Sequence, residues 1–588
     1  MRLESLSLVG NCQFSALVGD DGDVPWCCLP RFDAEPIFGR LLDPDGGGFR
    51  IAPASGERGT QRYLENTNIL ETRFETPDGA FRLVDFAPRF RQFDRVFRPT
   101  QLVRIVEPLS GTPRITATCD PRLGFSKAEP ARLWGSHHAS FQGFPTEVRL
   151  TTDAPLAYLQ AGTPFALTQT RRFVLTWGRP IEEPLAPLCD RFLRETESYW
   201  RRWVKHCAVP PEFQREVIRS ALVLKLHCFE DTGAILASTT TSLPEWPGRG
   251  RTWDYRYCWL RDAYYALNAF RLLGHFDERE QFVDYLLNVS SSSPSLDLAP
   301  LYGVDGRVDL DERALPDWQG YEGEGPVRVG NGAARQVQHD VYGEMALALA
   351  PVFLDERFGR ERTRSSLELL LALGRKAMAV AGQPDAGIWE LRTDATPQTF
   401  SSLMCWAGVD RVARVAERHA PGAHDEFRRG ANTIRELIAT KAWSDRLCAF
   451  ASTFGGDQVD ASILQAVTLR FLPPEDPRIV STVDAVCREL DHHGWLRRYG
   501  TDDGFGAPEV AFVICTYWLI ESLARIGRRR DARALLAHTL EALSPTGLLA
   551  EDWDPTDKRL WGNYPQAYSH VGLIHAAFAA SPTWAEVE

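Results

Sequence analysis

Two periodicities divide the chain. From residue 1 to about 185, short runs of β-branched and aromatic residues alternate with Gly, Pro and Asp, as at Phe49 to Ile51, Gly79 to Phe86, Gln101 to Val106, Arg114 to Cys119 and Arg172 to Trp177. Runs of that length between turn-forming residues predict antiparallel strands, and their number predicts a β-sandwich over residues 1–185. Across residues 186–210 the apolar positions change to helical spacing. Leu188, Phe192, Leu193, Tyr199, Trp200 and Trp203 form one stripe beside many charges, which predicts a linker helix.

Beyond Pro211 the pattern is amphipathic and helical, with segments at roughly 212–229, 261–273, 276–290, 340–354, 362–380, 403–418, 424–441, 459–471, 477–490, 509–526, 529–543 and 566–580. Their sequences share no fixed short period, which disfavours a TPR or HEAT solenoid. About twelve helices suit a closed (α/α)6 barrel, six inside and six outside, over residues 211–588. The expected fold class is therefore multidomain α+β, an N-terminal antiparallel β-sandwich followed by that barrel. The long connections 231–260, 291–339 and 491–508 are crowded with Gly, Pro, Trp, Asp and Arg, and loops of that length in a compact domain tend to be functional.

Composition narrows the function classes. The 588 residues are 44% hydrophobic and 24% charged, near the globular average, so a mainly disordered chain is excluded. Lys and Arg number 66 against 78 Asp and Glu, a net charge of −12, which argues against nucleic acid and anionic lipid as partners. The apolar runs fall short of the ~20 residues a membrane helix requires. The first residues lack the continuous apolar stretch of a secretion leader. The 12 cysteines are scattered without a C-x-x-C pair, and they are read as reduced thiols of a cytoplasmic protein. His492 and His493 are adjacent and cannot share a helix face, so no metal is called for. Gly46 to Gly48 lacks the lysine and the helix of a phosphate loop, so no nucleotide cofactor is implied either.

The aromatic residues bring in chemistry. Many of the 17 Trp fall in loops beside Asp, Glu and Arg. Pyranose rings pack flat C–H faces on indole, while their hydroxyls require carboxylates, guanidinium groups and amides. A small oligosaccharide or disaccharide is the expected partner. The densest cluster, Arg251 to Tyr264, combines three Arg and two Asp with five aromatic residues and runs into a helix start at Arg261 and Asp262. A carboxylate there is also favoured by the helix dipole, so capping is the plain alternative for Asp262.

Four motifs resemble glycoside hydrolase family 15, which holds glucoamylases, glucodextranases and bacterial trehalases. They are Trp253-Asp-Tyr-Arg-Tyr-Cys-Trp-Leu-Arg-Asp262; Gly325-Pro-Val-Arg-Val-Gly-Asn331; Gln336-Val-Gln-His-Asp-Val-Tyr-Gly-Glu344; and Gly562-Asn-Tyr-Pro-Gln-Ala-Tyr-Ser-His570. The opening, Leu8-Val-Gly-Asn-Cys12 to Trp26-Cys-Cys-Leu-Pro-Arg-Phe-Asp33, is similar to that of bacterial members, so the resemblance covers almost the whole chain. It implies a β-sandwich, an (α/α)6 barrel and an exo-acting hydrolase that releases glucose from an α-linked glucoside with inversion.

Inversion requires a protonated carboxyl on one side of the glycosidic bond and a carboxylate on the other, roughly 6.5–9.5 Å apart. Glu390, in Gly387-Ile-Trp-Glu-Leu-Arg392, matches the family's acid motif. Trp389 and Leu391 flank it, and an apolar surround would raise its pKa toward that of a general acid. A plain ion pair with Arg392 is the alternative. Glu551, in Gly547-Leu-Leu-Ala-Glu-Asp-Trp-Asp554, resembles the family's base, with Asp552 standing where Gln is usual and Asp552 and Asp554 as competitors. Tyr255, Trp259, Arg261, Asp262, Trp389 and Arg498 resemble sugar-binding positions, with Arg497 a rival to Arg498. Trp318, Tyr321 and Arg328 are expected at the pocket rim. Where many bacterial relatives carry His-Ser-Lys, this chain has Phe400-Ser401-Ser402, which leaves the linkage open among trehalose, maltooligosaccharides and isomalto-type chains. A phosphorylase on a similar barrel and a non-catalytic sugar-binding protein are the rival functions. A homo-oligomer is compatible with the sequence, since an interface stripe and a core stripe look alike.

Overall fold

The computed structural model describes residues 1–588 except Pro294 and Thr393. Its N-terminal part is built on an eight-stranded antiparallel sheet, in spatial order Ala131–Trp134, His138–Gln142, Val148–Thr152, Arg171–Trp177, Gln101–Gly111, Gly79–Phe86, Leu70–Thr76 and Thr60–Tyr63. The three-stranded sheet Phe165–Ala166, Arg114–Asp120 and Gly48–Pro53, and the four-stranded sheet that opens the chain, contribute to the same core. Alternation along strand Gln101–Gly111 shows how it is covered on both faces. Leu102 and Val106 point into the sandwich core. Val103 and Ile105 point the other way and meet Leu188, Cys189 and Phe192 of helix Leu185–Lys205. Arg104, between them, is fully buried and is held by Asp85 at 2.7 Å.

The C-terminal part is a closed ring. Among the described residues the inner helices are Leu260–Leu273, Asp340–Leu354, Thr399–His419, the short pair Ala461–Leu464 and Gln465–Thr468, Val513–Arg525 and Ala567–Ala580, each packed on the next and the last on the first. The outer helices are Gln214–Leu226, Asp277–Ser291, Arg364–Val380, Pro421–Lys441, Pro477–Leu490 and Arg529–Thr539. Inner helices are buried nearly all round, as Asp340–Leu354 shows, whereas Pro477–Leu490 buries a stripe of Ile479, Val483, Val486 and Leu490 at helical spacing. Close approach of the second and third inner helices depends on glycine: a Cβ on Gly343 would sit 2.1 Å from the Met404 carbonyl oxygen.

One expected helix is corrected. The segment 459–471 carries only a 3-10 turn and a single α turn: Asp460 caps at Ser462, and the left-handed Arg470, φ 60°, ends the helix between the buried Leu469 and Phe471. Among the described residues no helix is long and apolar enough to cross a membrane.

Candidate active site

Segments that lead into five of the six inner helices line one cavity that opens to solvent. Its wall takes Trp253, Tyr255, Trp259, Arg261 and Asp262 from the first segment, Gln336 from the second, Trp389 and Glu390 from the third, Arg498 and Phe512 from the fifth, and Glu551 and Tyr568 from the sixth. Glu390 precedes the third inner helix and Glu551 the sixth, three places apart in a ring of six. They therefore enter the cavity from facing sides.

Glu390 holds a left-handed backbone, φ 56°, at a turn closed by its amide donating to the Gly387 carbonyl at 3.2 Å. Trp259 Nε1 donates to its Oε1 at 2.7 Å, Arg261 Nη2 at 3.2 Å and Gln338 Nε2 at 3.4 Å. All three converge on one oxygen, and among the described residues no donor meets Oε2. Trp389 and Leu391 line the cavity beside Glu390, as expected, but the groups that bond its carboxyl are Trp259, Arg261 and Gln338. Trp389 turns to Asp460, donating at 2.8 Å, and packs on Tyr499, Phe512 and Trp518. Arg392 pairs with Glu312 at 3.1 Å rather than with Glu390, and lies over the Trp253 ring.

Behind Glu390, Arg261 is buried beside Asp262 and Asp340, at 3.8 and 3.7 Å, with Glu344 one turn further along the second inner helix. Burial pushes the Asp262 carboxyl up to about 6, against the pull of Arg261. The Asp262 carboxyl also meets its own backbone amide in the first turn of the helix, so a local capping contact and the Arg261 contact share this side chain.

Glu551 is fully buried. Burial, and next the Glu245 carboxylate, push its carboxyl well up, while Tyr255 and Arg498 pull it down. The Tyr255 hydroxyl and the Asn563 amide face it, yet among the described residues neither of its oxygens has an aligned hydrogen-bond partner. Tyr255 also packs edge-on against Trp259 at 5.2 Å, so the aromatic pair spans from one carboxyl toward the other. Asp552 follows on a strand and lines a small chamber that shares Glu245, Arg251 and Arg498 with the main cavity. It is buried, and burial and Glu551 both raise it. Gly562 packs against both acids: a Cβ there would stand 2.8 Å from Glu551 Oε2 and 2.9 Å from Asp552 Oδ2.

Arg498 lines the cavity and Arg497 does not. The expected rim residues are placed elsewhere. Trp318 donates to the Phe125 carbonyl at 2.8 Å and Tyr321 to the Met1 carbonyl at 2.7 Å, so both sit in the seam with the β domain. Arg328 stands one layer back, over the Trp253 ring at 4.9 Å. Sequence reasoning missed Glu245, Gln338 and Phe512. Gln338 lies inside a family motif, and Glu245 six residues before the Arg251 cluster. Nothing marked Phe512, which reads as core. Among the described residues no three His, Cys, Asp or Glu side chains form a metal-ligating group.

The model of glycosyl hydrolases family 15 matches residues 213–578, and a trehalase-like N-terminal model matches residues 1–171. The chain belongs to glycosyl hydrolases family 15. It is a glycoside hydrolase acting on O-glycosyl bonds. A trehalase of Mycobacterium tuberculosis is 34% identical over 605 residues, covering 97% of this chain and 88% of its own. A trehalase of Thermoplasma acidophilum is 32% identical, covering 95% and 97%. A bacterial glucoamylase complexed with acarbose shares the fold, with a TM-score of 0.65 at 13% identity over 98% of this chain and 93% of that one.

Proposed function

We propose that this family 15 hydrolase is an inverting, exo-acting α-glucosidase whose substrate is trehalose, with Glu390 as general acid and Glu551 as general base. The observation that carries the reading is that Glu390 and Glu551 reach one cavity from opposite places in the ring of six inner helices, with Arg261 and Asp262 in the same wall. Relatives named trehalase, aligned over nearly the full length, support the disaccharide.

In this reading Arg261 and Asp262 grip hydroxyls of the terminal glucose, and Trp259 and Tyr255 pack on its ring. Oε2 of Glu390, which has no donor among the described residues, carries the proton to the leaving oxygen while Oε1 stays anchored. Glu551 takes a proton from the attacking water on the other face of the sugar, and the bond to the leaving glucose breaks as the C–O bond to water forms. A base with a raised pKa is a stronger proton acceptor in that step.

The test is glucose release from a linkage-resolved panel of glucose disaccharides by the parent and by Glu390→Gln and Glu551→Gln. Trehalose should be cleaved best, and each variant should lose about 10²- to 10⁴-fold in kcat. Near-parent kcat in either variant on every disaccharide the parent cleaves would overturn the residue roles. A clear preference for another linkage would overturn the substrate.

A further inference from the structure

Glu245 is a buried carboxylate in the cavity wall with no part in the steps above, and it is 3% exposed. Its Oε1 accepts from Trp253 Nε1 at 2.9 Å. Its Oε2 pairs closely with Arg498 and stands 3.5 Å from Arg251. Arg251 is anchored in turn by Asp503, whose other oxygen accepts from Tyr499. Arg498 lies against the Tyr499 and Phe512 rings, and Glu551 and Asp552 both feel its charge. The guanidinium therefore has two places to go: Glu245, or the carboxyl pair at the base.

We propose that Glu245 is a positioning residue for the base, holding Arg498 off Glu551 so that Glu551 keeps the proton affinity its role requires. The proposal rests on the assignment of Glu551 as base. A cation within about 4–6 Å of a carboxylate lowers its pKa by roughly 1–3 units, and a like charge raises it. Glu245 acts in the same direction twice, by neutralising Arg498 and by its own charge. The other groups facing Glu551 are Tyr255 from the first segment, Asp552 beside it, and the backbone amide of Asn563, all of which Glu245 leaves in place.

The pH dependence of kcat/KM tests this, because the acidic limb reports the base in the free enzyme. Glu245→Gln should move that limb down by about 1 pH unit, with the basic limb moving much less. Glu245→Asp, which keeps the charge, should restore it. Arg498→Gln should move the same limb upward, and this opposite sign carries the test if Glu245→Gln fails to fold. An acidic limb unmoved by Glu245→Gln while KM rises would make Glu245 a sugar contact and overturn the proposal, as would two limbs moving together. Failure of the underlying assignment looks different: Glu551→Gln would keep both its rate and its acidic limb.

Discussion

Glu390 sits at φ 56°, in a region that non-glycine residues enter at a cost, and such residues cluster at functional sites. The turn spends that strain to aim one carboxyl oxygen at Trp259, Arg261 and Gln338. Glu551 shows a different tension. Its folded pKa is raised above the ordinary 4.5 chiefly by burial, so the ionised form is the costly one. Two outcomes follow from that sign. The proposed mechanism uses Glu551 unprotonated, so the acidic limb of kcat/KM should lie at least about 1 unit above 4.5; a limb at or below the ordinary value contradicts the burial argument. Stability is lost as pH rises through the folded pKa, so Glu551→Gln should melt higher than the parent at pH 8, with the gap closing toward pH 4. Both carboxyls were legible in sequence, as lone Glu residues in loops that carry family motifs. The polar groups around them were not, because chain neighbours such as Trp389 and Leu391 say little about what a side chain meets across a turn.

At the scale of elements, most inner and outer helices are legible because apolar spacing and length agree. The fourth inner helix is the exception: its pattern at 459–471 is apolar enough for a helix, yet the chain keeps only two turns. Burial from contacts far along the chain imitates periodicity there. Glycine marks what pattern cannot. Gly562 lies at φ 75° against Glu551 and Asp552, where an added Cβ would stand 2.6 Å from Glu551 Cβ. Gly562→Ala should therefore push the base out of place. The expected result is a fall in kcat of about 10-fold or more with a lowered melting temperature, since shifts near 1 Å at reacting groups cost up to about 10²-fold. Unchanged kinetics would show that this packing is soft.

Over the whole molecule, the β domain and the ring are joined by buried polar contacts rather than by a linker alone. Arg89, just after a sandwich strand, meets Glu230 at 2.5 Å; Lys225 meets Glu230 at 2.6 Å and Glu278 at 2.8 Å. Lys225 and Arg89 hold Glu230 below the usual carboxylate range, and Lys225 does the same for Glu278, both against burial. Their contribution is present above pH 4.5 and is lost as pH falls through the lowered values. Lys225→Met should destabilise by about 3–5 kcal/mol at pH 7, read by denaturant unfolding, with the deficit shrinking in acid. This seam was the least legible part of the sequence. Trp318 and Tyr321, which look like loop aromatics for a sugar, are used to close it, and a single sequence does not tell an aromatic that covers a domain from one that covers a ligand.

Inversion by two carboxyls that reach one cavity is the central claim, and the most direct measurement is the anomer of the first product, followed by proton NMR before mutarotation. On trehalose the attacked glucose should appear as β and the leaving glucose as α, in an initial ratio near one to one. Release of α-glucose alone would mean retention, and would contradict the arrangement of Glu390 and Glu551 as acid and base.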